Sequence, residues 1–153
     1  MMMACLKQAA AAIVGLTVTT TALAEPTLSA CEGPTRIDAI IEPWDQHTRT
    51  FANGAIRIIG LDTGEPACCS YHLAIIAPDP QEENWPRQCL ALNDGGEWTG
   101  FQSVDVGGTQ SSYDPGRGLL LSVPVERYID GIRSTKMVVD IRINQATGEV
   151  TIE

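Results

Sequence analysis

Positive charge is scarce in this chain. Lysine and arginine total 10 against 19 aspartate and glutamate, a formal net charge of −9 with both histidines neutral. Nucleic acid and anionic membrane surfaces are met by basic patches, so this balance argues against both as partners. It leaves attraction to a cationic protein or to metal ions open, beside the plainer reading that the charge serves solubility. Also missing are a sustained helical period, an internal repeat, a low-complexity tract and an N-x-S/T sequon. No G-x-S-x-G surrounds Ser70, Ser111 or Ser112, and there is no H-E-x-x-H. Those absences remove the local signatures of serine and zinc hydrolases, although a Ser–His–Asp set can still be assembled through space.

One stretch stands apart from the rest. Lys7 precedes an uncharged run from Gln8 to Ala24, which ends in Ala22-Leu23-Ala24. A basic residue, an apolar run and a small-x-small end are the parts of an export signal, so cleavage is expected between Ala24 and Glu25. Residues 25–153 then form a single domain, periplasmic or secreted, with nine basic residues against 19 acidic ones and a net charge of −10. The alanine-rich leader fits a bacterial periplasmic protein. Leu28-Ser29-Ala30-Cys31 offers a competing lipobox that would put a lipid on Cys31. Glu25 and Pro26 separate that motif from the apolar run, and lipidation would leave an odd cysteine count outside the cytoplasm. An uncleaved anchor is disfavoured because Thr17, Thr19, Thr20 and Thr21 interrupt a run that needs about 20 apolar residues to span a bilayer.

From Thr35 onward the sequence alternates with a period of two. Lys136 to Ile143 places Met137, Val139, Ile141 and Ile143 on one face, which predicts a half-buried strand. Asn144 to Gly148 reads as a turn, and Glu149 to Ile152 as the returning strand. Asn53-Gly54 between His47–Ala52 and Ala55–Leu61 predicts a hairpin closed by a type I′ turn. Further strands are expected at Arg36–Ile41, Ser70–Ala77, Gln88–Leu92, Trp98–Val106 and Leu119–Tyr128, with Pro124 pushing the last toward an edge or a bulge. Turn formers at Gly64-Glu65-Pro66, Pro78-Asp79-Pro80, Asn93-Asp94-Gly95-Gly96 and Asp114-Pro115-Gly116 separate them. The expected fold is all-β, a small antiparallel sandwich or barrel stapled by disulfides.

Cys5 leaves with the leader, and Cys31, Cys68, Cys69 and Cys89 form an even set with no free thiol expected. A bond between neighbours would strain their shared peptide. The expected pairing therefore joins Cys31 to one of Cys68 and Cys69, and Cys89 to the other. On a strand the adjacent pair would face opposite ways, which suits such an arrangement. A redox-active or metal-binding vicinal pair is the functional alternative.

Chemistry is thinly signalled. Cys68-Cys69-Ser70-Tyr71-His72 misses the C-x-x-C-H spacing of a haem attachment site. Cys68 and His72 on one strand would stand about 13 Å apart, too far to share an ion. His47, His72 and Met137 could meet as copper ligands only through folding, and ordinary half-buried histidines are the better reading. Glu82-Glu83 reads as a solvated loop, and the segment 93–97 falls short of a calcium loop. No catalytic residue, metal or cofactor is assigned. Gly107 to Gly118 reads as a glycine-rich loop presenting Tyr113 and Arg117, residue types that favour binding hot spots, and Trp85 and Trp98 sit in or beside other turns. Tyr113, Arg117 and Trp98 are the expected binding residues, and truncating Tyr113 and Arg117 is expected to weaken binding while sparing stability. The alternative is a mobile loop with Tyr113 packed over the sheet edge. Together these features imply an exported, non-enzymatic interaction domain for a cationic envelope or secreted protein, an inhibitor of a basic enzyme being one version. A small-ligand or metal-binding domain and a hydrolase with a spatially assembled site are the alternatives.

Overall fold

Alternation buries one face of each long strand, and a sheet with one apolar face needs a second layer to cover it. The computed structural model describes residues 23–66, 68–96 and 98–153. The expected leader, apart from its last two residues, lies outside them. The strands in chain order are β1 (Thr27–Ala30), β2 (Thr48–Phe51), β3 (Ile56–Asp62), β4 (Tyr71–Pro78), β5 (Arg87–Asn93), β6 (Ser103–Val104), β7 (Gln110–Asp114), β8 (Gly118–Tyr128), β9 (Ser134–Asn144) and β10 (Glu149–Ile152). The first sheet runs β1-β5-β4-β3-β2 and the second β10-β9-β8, with β6 and β7 both paired to β8. Every pairing is antiparallel.

The inner faces merge into one aliphatic core. Ile56, Ile58, Leu73, Ile75, Ala77 and Leu92 come from the first sheet. Leu119, Leu121, Val123, Val125, Val139, Ile141 and Ile143 come from the second, with Phe101 and Val106 from the segments around β6. Met137 packs against this core on the expected face. Each such Val, Leu, Ile or Phe side chain contributes about 1.5–3 kcal/mol on burial. At one end the layers are also locked by charge. Arg127, buried at the end of β8, donates through Nε to Asp94 Oδ2 at 3.2 Å, and its terminal nitrogen meets Asp94 Oδ1 and the Ala24 carbonyl.

Several elements depart from the expected layout. Arg36–Ile41 is not a strand: Ile37–Ala39 forms a 3₁₀ turn, and only Ile40 makes a bridge, to Leu61. β2 takes that edge of β3 over Ile56–Ile59 and leaves only Gly60–Leu61 to this segment, and Arg36 closes on Asp38 two residues away, Nε to Oδ1 at 3.0 Å. The segment instead lies over the outer face of the first sheet, where Ala39 joins Leu61 and Ala74 in a second, smaller cluster. Within Trp98–Val106 only Ser103–Val104 belongs to a strand, with a further bridge from Phe101 to Tyr71. Gly100 permits that bridge, because a side chain there would collide with the Cys69 carbonyl. Gly107 to Gly118 is no open loop, since Gln110–Asp114 pairs with β8 and Asp114 Oδ1 accepts the Gly116 and Arg117 N–H groups to close the hairpin.

Pro124 sits inside a central strand rather than on an edge. Its carbonyl accepts the Asp105 N–H at 2.9 Å, so its ring nitrogen faces the same side. There β6 has ended and β7 has not begun, and no ladder bond is lost. The β2–β3 hairpin forms as expected: Asn53 and Gly54 take φ of 55° and 86°, and Ala55 N–H donates to the Ala52 carbonyl at 3.2 Å.

All four expected cysteines are bridged, but in a different pairing. Cys31 bonds to Cys89, tying the chain just after β1 to β5 with Cα atoms 5.3 Å apart. Cys68 bonds to Cys69. The expectation rested on the strain of bonding neighbours, and a strand at that pair would have suited it. The strand starts later, at Tyr71, and in the preceding loop Cys69 adopts φ of 70°, so the two side chains are not held on opposite faces. Cys31 is meanwhile beside Cys89 because β1 pairs with β5.

Candidate functional site

On the outer face of the first sheet, β4 and β5 set polar residues side by side where the apolar alternation gives way. His72 at the start of β4 is 1% exposed, and its Nδ1 lies 2.8 Å from Asn93 Oδ1 at the end of β5. Asn93 Nδ2 donates to the Ala91 carbonyl at 3.2 Å and to Ser29 Oγ on β1 at 3.0 Å. A carbonyl only accepts, so the amide nitrogen must face Ala91 and the amide oxygen must face His72. His72 Nδ1 therefore carries the proton, and Nε2 presents a lone pair.

Nε2 has no hydrogen-bond partner among the described residues. His72 lines a cavity of about 300 Å³, and with Nδ1 engaged by Asn93, Nε2 is the ring nitrogen left for a ligand. Burial pushes the His72 pKa down, opposed in part by the Asn93 hydrogen bond and the Asp62 charge. The imidazole is accordingly neutral at physiological pH.

The rest of the cavity follows from the loops around this end of the sheet. Asp62 closes β3 and accepts the Gly64 N–H on Oδ1 at 2.9 Å, while the Thr63 N–H donates to the Ser70 carbonyl. Glu65 lies on the same loop, which runs into the bridged Cys68–Cys69 pair. Pro34 and Ala39 supply apolar wall, and the Arg36–Asp38 pair lies at the rim. The hydrogen bond from Arg36 holds the Asp38 carboxyl below the usual carboxylate range. Trp98 completes the lining. Its ring lies against Gly33, where a Cβ would collide with it, yet it stays 69% exposed.

Of the expected binding residues, Trp98 belongs to this cavity, whereas Tyr113 and Arg117 belong to the β7–β8 hairpin of the other sheet. Tyr113 is 67% exposed, so it does not pack over the sheet edge. Arg117 pairs with Glu153, which Arg142 also holds at 3.0 Å. Among the described residues, no group of three or more His, Cys, Asp or Glu is placed to hold a metal ion. No helix among them is long and apolar enough to cross a membrane. Asn93, Ser29 and Asp62 escaped the sequence reading. Their only signal is a polar residue on or closing an apolar strand, and their role comes from cross-strand neighbours.

A neutral buried histidine makes stability depend on pH in a definite direction. The unfolded chain takes up a proton as pH falls through about 6.5 while the folded protein does not. The contribution is therefore full above that value and is lost as pH falls from it toward the lowered folded pKa. Asp38, Asp130 and Glu153, all held low by arginine hydrogen bonds, act only as pH falls through the ordinary carboxylate range near 4. The thermal stability of the native protein is expected to fall as pH drops below about 6.5, and His72→Gln is expected to flatten that slope. An equal slope in both proteins would place the titration elsewhere.

Comparison with protein-family models, curated proteins and solved structures finds no match to the chain.

Proposed function

We propose that the chain is an exported, non-enzymatic binding domain whose recognition site is the cavity at His72. The carrying observation is a buried, neutral histidine of fixed tautomer lining a cavity beside an exposed tryptophan. The partner of Nδ1 favours binding over catalysis. A histidine that cycles through its charged form is stabilised most by a carboxylate, and a neutral amide orients the ring without supplying that charge. Asn93 is an amide. The acidic chain and its paired sheets suit a rigid scaffold that meets a cationic envelope or secreted protein.

Affinity capture from envelope extract with the purified exported protein tests this, run with Trp98→Ala and with Tyr113→Ala/Arg117→Ala. Both variants change exposed side chains and are expected to melt close to the native protein. The partner retained by the native protein is expected to be lost with Trp98→Ala and kept by the hairpin variant. Loss with the hairpin variant alone would move recognition to β7–β8. Stoichiometric metal in the native sample would favour a metal-binding domain instead.

A further inference from the structure

We infer that the His72 cavity takes an organic cation, a guanidinium or alkylammonium group, and this rests on its being the recognition site. The groups facing the space are acceptors. His72 Nε2 offers a lone pair and no proton, given the tautomer that Asn93 fixes. Asp62 engages one carboxylate oxygen with the Gly64 N–H, leaving Oδ2 with no hydrogen bond among the described residues. Glu65 adds a second carboxylate. The one cationic side chain in the lining, Arg36, is spent on Asp38. Counted over the lining residues, three carboxylates face one guanidinium, so an anion would be repelled and a cation drawn in.

The indole of Trp98 fits the same occupant. Its exposed face can stack on a planar cation and attract it through the ring quadrupole. The volume of about 300 Å³ stands at the small end of ligand sites, right for one charged head group and its stem. A bare metal ion suits the site less well. Its ligands must converge within about 2–2.6 Å of one point, and among the described residues no such group forms. Separated acceptors are better met by a group carrying several N–H donors in a fan. A guanidinium has five, and an ammonium three.

The same chemistry has two sources, a free amine and an arginine or lysine side chain of a partner protein. Calorimetric titration of the purified exported protein separates them, using agmatine, the single-headed n-butylguanidine with its uncharged ureido analogue n-butylurea, and a short arginine-containing peptide. Agmatine or the peptide is expected to saturate one site, and the ureido analogue to bind about tenfold or more weaker than n-butylguanidine, the value of a charged hydrogen bond. Tighter binding of the peptide assigns the site to a protein side chain, and tighter binding of agmatine to a free amine. Asp62→Asn is expected to weaken binding by about tenfold, and Trp98→Ala to weaken it as well, both with unchanged circular dichroism. In nuclear magnetic resonance spectra the His72 Nε2 shift is expected to move on titration while the Asn93 side-chain amide stays put. No saturation by either cation up to about 10 mM, equal binding of the ureido analogue, or indifference to Asp62→Asn would overturn the inference. If Trp98-dependent partner capture survives such a failure, the cavity remains the recognition site and only its ligand class is wrong.

Discussion

Replacing Cys31 and Cys89 together by serine is expected to cost about 4 kcal/mol of unfolding free energy and to lower Tm by roughly 10–15 °C. The two residues are separated by 58 positions in sequence. The bond closes a loop that takes in β2, β3 and β4 and so removes much of the freedom of the unfolded chain. Its removal also frees β1, a four-residue edge strand whose ladder partner is β5. The second bridge is the internal control. Cys68 and Cys69 are neighbours, their bond closes essentially no loop, and Cys68→Ser/Cys69→Ser is expected to shift Tm far less. Thermal and urea unfolding of the two double variants decide the point. Equal losses, or none from Cys31/Cys89, would show that loop closure is not what stabilises the native state.

Arg127→Met is expected to cost about 3–5 kcal/mol, because it strands a buried carboxylate. Both side chains of the Arg127–Asp94 pair are 9% exposed, and the pair joins the end of β8 to the turn after β5. The ion pair itself is a weaker stabiliser than this number suggests. Two buried charges give up their hydration to meet, and most of the cost of the single change is the unpaired Asp94 left behind. Arg127→Met with Asp94→Leu is therefore expected to recover the greater part of the loss. Urea denaturation of the single and double variants tests this, and a double variant as unstable as the single one would mean that the pair itself holds the layers together.

The elements most plainly written in the chain are those with one face buried and one face wet. β8 and β9 announce themselves because Leu121, Val123, Val139 and Ile141 alternate with polar or half-exposed residues, while β4, buried on both faces over His72–Ile75, reads as a near-continuous apolar run. β7 does not, since all five of its residues are exposed and its sequence, QSSYD, carries no alternation. Arg36–Ile41 misled in the opposite sense: apolar residues are there, but they cover a sheet from outside instead of joining it. The vicinal bridge was set aside because bonding neighbours would strain their peptide, and the positive φ that Cys69 adopts there leaves no mark in the pattern. His72 was visible as a histidine, though its meaning was not. The partner that fixes its tautomer is Asn93, 21 residues on, and only the register of β4 against β5 brings them together.

The three tryptophans carry one more consequence. Trp44, Trp85 and Trp98 are 60%, 71% and 69% exposed, while the core is built from aliphatic side chains and Phe101. The indoles of the native protein are thus already largely hydrated, and unfolding changes their surroundings little. Intrinsic fluorescence is for that reason a dull gauge of folding in this protein and a keen one of contact, because an indole that is wet when the protein is alone has only an arriving ligand to dry it.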